Sequence, residues 1–404
     1  MLKLKIQAII LINIVTISVF MKTIAIIGAG PVGGYLAYLL AKQDKNVKVV
    51  LYEENLDVGK PVQCTGIITS SLKEYIKLDP QYIVNEMKYV EAFSEKNHCK
   101  IRSNDIIVSR TLFDQYIVDL ALREGAFLKR GYKFIRINQE GFLEFKIKDT
   151  IIVENIIFTH LIGADGPNSV VSALIGNKKP QFYFGKQALV KGRFAEDTYQ
   201  VFLGNDIAPK FFGWSVPENN EFSRVGVATL ETPGKYFDLL LKRMNVDKKD
   251  IVEFQGGLIP VYDPSVVLNK IITISSTDDI HKNNHHILYL AVVGDAALQV
   301  KATTGGGIIP GMEAAIGLSK AIIRGRDYKK EIKHVERELK LHLLIRHTLD
   351  NFTNADYDHL VGLLSQERLK DDLLNTTRDR IKKLALKLLL KEPRLLWFGR
   401  RLLY

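Results

Sequence analysis

The chain has 404 residues, 47% hydrophobic and 25% charged, enough for a large core and about two or three structural regions. No stretch has disordered composition and no solenoid-length repeat is visible; two cysteines, Cys64 and Cys99, exclude a disulfide framework and a zinc site and fit a reducing cytoplasm. The formal charge is +11, with basic residues gathered toward the C-terminus, but no nucleic-acid-binding signature accompanies it, and an anionic membrane surface or a phosphorylated substrate accounts for it at least as well.

Lys3 and Lys5 precede an apolar run from Ile6 to Phe20, broken by Gln7, Asn13, Thr16 and Ser18. The run resembles the charged and apolar regions of a signal peptide, yet no A-x-A-like cleavage site follows. It is short for a membrane span of about 20 apolar residues. Residues 1–20 are expected to be an N-terminal extension, or to lie upstream of a natural start at Met21; a membrane anchor is the other reading.

Thr23 to Ile27 is apolar and β-branched, the pattern of a buried parallel strand. Gly28-Ala-Gly30-Pro-Val-Gly33 follows at once, and Tyr35 to Lys42 reads as a helix. Gly28 allows a tight turn, Gly30 lets a pyrophosphate approach the backbone, and Gly33 lets the helix pack close to the strand. A second strand, Val47 to Tyr52, ends in Glu53, 20 positions past Gly33, where an acidic side chain meets a ribose hydroxyl. A loop from Asn55 to Gly66 carries Cys64, and Ser70 to Ile76 reads as a short helix.

Tyr89 to Val108 is expected to form strands, and Arg110 opens a helix running to about Glu124, ended by Gly125. Phe127 to Val153 alternates as short strands. Ile156 to Ile162 is a buried strand leading to Gly163-Ala-Asp165-Gly166. Gln181 to Leu230 reads as sheet and Pro233 to Val246 as a helix. Ile287 to Val293 is a third buried strand followed by Gly294-Asp295; a glycine run then precedes a helix from Ile309 to Arg324. Beyond Asp327 the pattern is helical to the end. Strand–helix units thus bracket a mostly β middle, which argues for an α/β fold: a doubly wound Rossmann-like sheet with an inserted, mostly β substrate domain and a C-terminal helical region. The expected division is 21–75, 105–175 and 285–330 for the nucleotide domain, 76–104 and 176–284 for the substrate sheet, and 331–404 for the helical region.

Four segments in this order resemble the FAD-dependent group that contains aromatic hydroxylases and geranylgeranyl reductases. They are Gly28-x-Gly30-x-x-Gly33, Arg110 before Phe113-Asp114, Ala164-Asp165-Gly166 and Gly294-Asp295. Within the group the chain is similar to the geranylgeranyl reductase family. Lys60-Pro61-Val-Gln-Cys64-Thr-Gly66 resembles the family's cysteine loop. Phe212-Gly-Trp214-Ser-Val-Pro217 resembles its Y-x-W-x-F-P segment, with Phe for Tyr and Val for Phe. Gly294 to Ile308 resembles its G-D-A-A…K-P-T-T-G-G-G-I stretch, with Ala302 in place of Pro.

The resemblance implies FAD held by Gly28, Gly30, Gly33, Glu53, Arg110, Asp165, Asp295 and Gly305, Gly306 and Gly307. It implies a prenyl pocket walled by Phe212, Trp214 and Pro217. Cys64 is either a core cysteine or a catalytic thiol over the flavin. No metal is expected. The implied activity is reduction of double bonds in geranylgeranyl chains of membrane lipids or prenyl diphosphates, with NAD(P)H or a ferredoxin as reductant. A flavin monooxygenase or halogenase on the same fold is the alternative, since flavin halogenases carry a similar W-x-W-x-I-P; a nucleotide-binding protein without catalysis is a third reading. The segment Arg378 to Tyr404, rich in Lys, Arg and Leu, either lies on an anionic bilayer or packs on the body. The expected location is the cytoplasm, peripheral on the inner face of the membrane.

Overall fold

The computed structural model describes residues 22–275 and 285–403. The readings for residues 1–20 and Met21 lie outside the described residues. Strand β1 (Thr23–Ile27) sits in the interior of a six-stranded sheet, and its last four residues are buried, as a near-continuous apolar run in a parallel sheet requires. The sheet order is Asn269–Ser275, His285–Val292, His160–Gly163, β1, β2 (Lys48–Glu53) and Phe127–Arg130. The last five strands are mutually parallel. Helix α1 (Pro31–Gln43) follows β1 and packs with the helices Arg110–Arg123 and Ile308–Arg324. A three-stranded antiparallel sheet, Lys133–Ile137, Leu143–Ile147 and Thr150–Glu154, meets the large sheet through Phe145, whose ring stacks on Tyr52 with centroids 4.3 Å apart.

The first strand of the sheet corrects the expected division. Asn269–Ser275 pairs antiparallel with His285–Val292 and so extends the nucleotide sheet, not the substrate sheet. A short alternating strand does not announce its partner; pairing is settled by where the chain returns after Pro260.

A seven-stranded sheet runs in the order Ile251–Pro260, Phe182–Lys191, Phe222–Thr229, Gly213–Pro217, Thr198–Phe202, Tyr89–Phe93 and His98–Arg102. The helix Gly234–Arg243 buries Phe237, Leu240 and Leu241 against it. Between the two large sheets a short strand, Ile106–Val108, pairs with Ile67–Ile68 and Ile83–Glu86. The stretch read as a helix from Ser70 to Ile76 is a 3-10 turn over Ser70–Glu74. The C-terminal region is helical, with Lys333–Asp350, Asn354–Leu364, Glu367–Asn375 and Ile381–Lys391, and a capping box of Thr353 and Asp356 starts the second of these.

A cofactor-sized cavity between the two sheets

The turn after β1 is built by close approach. Gly28 has φ +97°, and its N–H donates to Tyr52 O at 2.8 Å. A Cβ on Gly28 would lie 2.3 Å from Ala164 O, and one on Gly33 would lie 2.1 Å from Gly28 O. Both residues are glycine because protein backbone occupies that space. Gly30 differs: a Cβ there would meet no protein atom within 4 Å. Its missing side chain opens space on a cavity of about 820 Å³ that the start of α1 faces. The helix N-terminus presents backbone N–H groups and a positive dipole to that space, as an anion such as a pyrophosphate requires.

Five carboxylates line the cavity; Glu54 pairs with Lys133, and the other four shape its polar side. Glu53 accepts from Ala29 N (3.0 Å) and from Asn55 N and Nδ2 (3.0 and 2.9 Å), so it braces the glycine turn at the end of β2. Asp114 receives Nε and Nη2 of Arg110 at 3.1 and 2.8 Å. Burial works against the Arg110 charge, but Asp114 and the facing Cys64 thiol hold its pKa above the usual arginine value. Asp165 spends both oxygens in its own turn, accepting from Ser169 Oγ at 2.6 Å and Val170 N at 2.8 Å, and burial pushes its carboxyl up. Its place is structural support of the turn that meets Gly28.

Asp295 is the exception. Its carboxylate accepts no hydrogen bond from the described residues, and burial raises its pKa to about 6, with Arg110 pulling the other way. Gly307 is glycine here for its sake, since a Cβ would stand 2.5 Å from Asp295 Oδ1. A half-buried acceptor without a donor among the described residues, beside an arginine and three successive glycines, is what the hydroxyls of a polyhydroxyl chain would satisfy. Together with the open space at Gly30, this fits an FAD laid across the cavity from Glu53 to the Gly305–Gly307 loop.

The far wall comes from the seven-stranded sheet. Phe211 and Phe212 stack at 4.4 Å, and Phe212 meets Trp214 edge-on at 5.9 Å. Trp214 Nε1 donates to Gln187 Oε1 (3.3 Å), which also accepts from Thr65 Oγ1 (2.9 Å) and so ties the cysteine loop to the sheet. Cys64 Sγ lines the cavity and accepts from Gly66 N at 3.4 Å.

Of the residues singled out in the sequence, Gly28, Gly30, Glu53, Cys64, Arg110, Asp165, Asp295, Gly305 to Gly307, Phe212 and Trp214 line this one cavity. Gly33 supports the turn from below. Pro217 is not on the wall: it ends its strand, buried, and its carbonyl accepts from Asn85 Nδ2 at 3.1 Å. Sequence reasoning missed Arg378, Lys301 and Thr303 as wall residues. Lys301 pairs with the buried Asp379, and Thr303 Oγ1 lies 2.6 Å from His342 Nδ1. The spacing of Asp379 and His342 from the glycine loop is too long for a local pattern to reveal. Among the described residues no cluster of His, Cys, Asp and Glu could hold a metal.

A model of NAD(P)-binding Rossmann-like domains matches residues 26–64. Along most of its length the chain is similar to the digeranylgeranylglycerophospholipid reductase of Methanothrix thermoacetophila, with 26% identity over 94% of this chain and 98% of the relative. The enzyme of that name from Methanocaldococcus jannaschii is 25% identical over 94% of this chain and 98% of its own length. A solved geranylgeranyl bacteriochlorophyll reductase-like protein from Thermoplasma acidophilum superposes with a TM-score of 0.72 at 21% identity, covering 95% of this chain and all of that one. A flavin-dependent brominase shares the fold more distantly, at TM-score 0.58 and 15% identity over 89% of this chain and 92% of the other. The resemblance carried by the cysteine loop, the aromatic strand and the glycine run therefore extends over nearly the whole chain: its sequence relatives include proteins named digeranylgeranylglycerophospholipid reductase, and its fold is that of the solved geranylgeranyl bacteriochlorophyll reductase-like protein.

Proposed function

We propose that this protein is an FAD-dependent reductase that hydrogenates double bonds in the geranylgeranyl chains of a phospholipid or prenyl diphosphate. The observation that carries the proposal is the meeting, in one cavity, of the unpartnered Asp295, the open space at Gly30 and the Phe212–Trp214 wall. Bound and reduced, FAD supplies the hydride that an unactivated alkene needs. Gly30 and the start of α1 take the pyrophosphate, Glu53 the ribose, and Asp295 the ribityl hydroxyls. The aromatic wall aligns an apolar chain and keeps water out, which strengthens every polar contact inside. Cys64 Sγ, held by Gly66 N and facing Arg110, is assigned the proton for the second alkene carbon.

The likeness to flavin halogenases supports oxygen-dependent halogenation or hydroxylation as the second reading. The reductant is NAD(P)H or a ferredoxin. The location assigned is the cytoplasmic face of a membrane, on which the outward leucines of the C-terminal helix would lie.

The test is anaerobic: FAD-loaded protein, dithionite and geranylgeranyl lipid, with the product weighed by mass spectrometry. Each bond reduced adds two hydrogens, and Cys64→Ser keeps the bound flavin but loses turnover. Unchanged unsaturation, or oxygenated or halogenated product under air, would overturn the reductase reading.

A further inference from the structure

Five cationic side chains line the cavity. Each is paired with a carboxylate, but the pairs differ in what they leave open. Lys60 pairs with Asp57 at 3.1 Å and Lys133 with Glu54 at 3.0 Å. Lys301 is buried against Asp379, and Arg110 gives its Nε–Nη2 edge to Asp114. Arg378 is different. Only its Nη1 is engaged, donating to Asp105 Oδ2 at 2.8 Å and to the Tyr199 hydroxyl at 3.1 Å. Among the described residues its Nε and Nη2 donate to nothing, and 29% of the side chain remains accessible.

The free edge is the one that meets two oxygens of a phosphate in parallel hydrogen bonds. In Arg110 the same edge is filled by a carboxylate. Asp105 stabilises the Arg378 charge without covering that edge, and Tyr199 Oη completes the support by donating to Asp105 at 2.9 Å. Arg378 also stands at the border of the apolar wall. Tyr199, Val201 and Leu203 line the cavity at alternate positions, and Arg378 bonds the first of them. An apolar slot ending in an arginine fork suits a long hydrocarbon with a phosphorylated end.

Resting on the reductase reading above, we infer that Arg378 binds the phosphate at the polar end of the isoprenoid substrate, so that this C-terminal residue makes the cavity selective for phosphorylated over uncharged isoprenoids. Asp105 and Tyr199 are its positioning residues. The selected chemistry is a phosphate mono- or diester, carried by a lipid headgroup or by a free prenyl phosphate.

Equilibrium binding to the FAD-loaded protein tests this apart from turnover. Geranylgeranyl phosphate, a digeranylgeranyl glycerophospholipid and geranylgeraniol are titrated by calorimetry into wild type, Arg378→Gln and Arg378→Lys. Wild type should bind the phosphorylated ligands at least about tenfold more tightly than the alcohol. Arg378→Gln should lose that preference while its affinity for the alcohol, its flavin content and its flavin midpoint potential stay unchanged. Arg378→Lys, which keeps the charge and not the fork, should recover part of it. A preference for the glycerophospholipid over the prenyl phosphate identifies the headgroup as the source, and the reverse identifies the free phosphate. Equal affinity of wild type for alcohol and phosphate, an equal loss for all ligands in Arg378→Gln, or a shift in flavin potential alone would overturn the inference. Failure of the reductase reading shows separately, as bound lipid that dithionite never reduces.

Discussion

Asp295 illustrates how a single residue can serve binding at the expense of the empty protein. Its carboxyl is raised by burial from 3.8 to about 6, with Arg110 opposing. A raised folded-state value stabilises the fold below about pH 3.8, and that contribution is lost as pH rises through about 6. At neutral pH the charge therefore costs the cofactor-free protein at most about 3 kcal/mol. Asp295→Asn should raise the melting temperature of the cofactor-free protein at pH 7, leave it nearly unchanged at pH 4, and weaken FAD binding tenfold or more; calorimetry and flavin titration read both. Wild-type FAD affinity should also fall as pH drops below about 6, where the carboxyl no longer accepts. The G-x-G-x-x-G pattern by itself assigns open space to Gly30 and close packing to Gly33, because the atom that a Cβ on Gly33 would strike, Gly28 O, is local. What the pattern does not carry is the closure at Gly28, where the blocking atom, Ala164 O, comes from far along the chain.

At the scale of elements, the segment Thr377–Arg380 joins the parts of the cavity. Asp379 takes Lys301 from the glycine loop and Thr69 from the turn after the cysteine loop; Arg378 reaches Asp105 and Tyr199 of the β region, and Arg380 reaches Glu313 at 2.8 Å. Burial opposes the Asp379 charge, but Lys301 overrides it and holds the carboxyl well below its usual range. Removing one partner strands the other charge in the interior. Lys301→Met alone should cost about 3–5 kcal/mol in urea unfolding, and the double replacement Lys301→Met/Asp379→Leu should recover most of it. If the two single losses simply add in the double variant, the pair is not coupled. In the sequence the segment reads as the start of a basic stretch that either lies on an anionic bilayer or packs on the body. Composition reported its charge correctly, but the acids that receive it, Asp105 for Arg378 and Glu313 for Arg380, lie 273 and 67 positions away, and no local pattern carries that information.

Across the whole molecule the basic C-terminal residues divide into two sets. Lys387 and Lys391 pair with Asp372, Arg394 with Glu392, and Arg401 with Asp356, so the region packs on the body. Lys382 and Lys383 are exposed, and beside them Leu386, Leu390, Leu396 and Trp397 are 58%, 74%, 64% and 41% exposed. Among the described residues no helix is long and apolar enough to cross a membrane. An outward apolar stripe flanked by lysines suits adsorption to an anionic bilayer. Leu386→Ser/Leu390→Ser should lower co-sedimentation with anionic vesicles about tenfold or more, with little change in melting temperature, and wild-type binding should weaken with salt. Wild type left in the supernatant would exclude this surface. The sequence by itself determined the strand–turn–helix at Gly28, the βα periodicity of the nucleotide sheet and the motifs around Cys64, Trp214 and Asp295, because each depends on side chains a few positions apart along one element. Only the tertiary structure decided that Asn269–Ser275 extends the nucleotide sheet, that Pro217 leaves the wall, and that Arg378 enters the cavity. Those outcomes depend on which distant backbones meet, and non-local packing, not local periodicity, sets that.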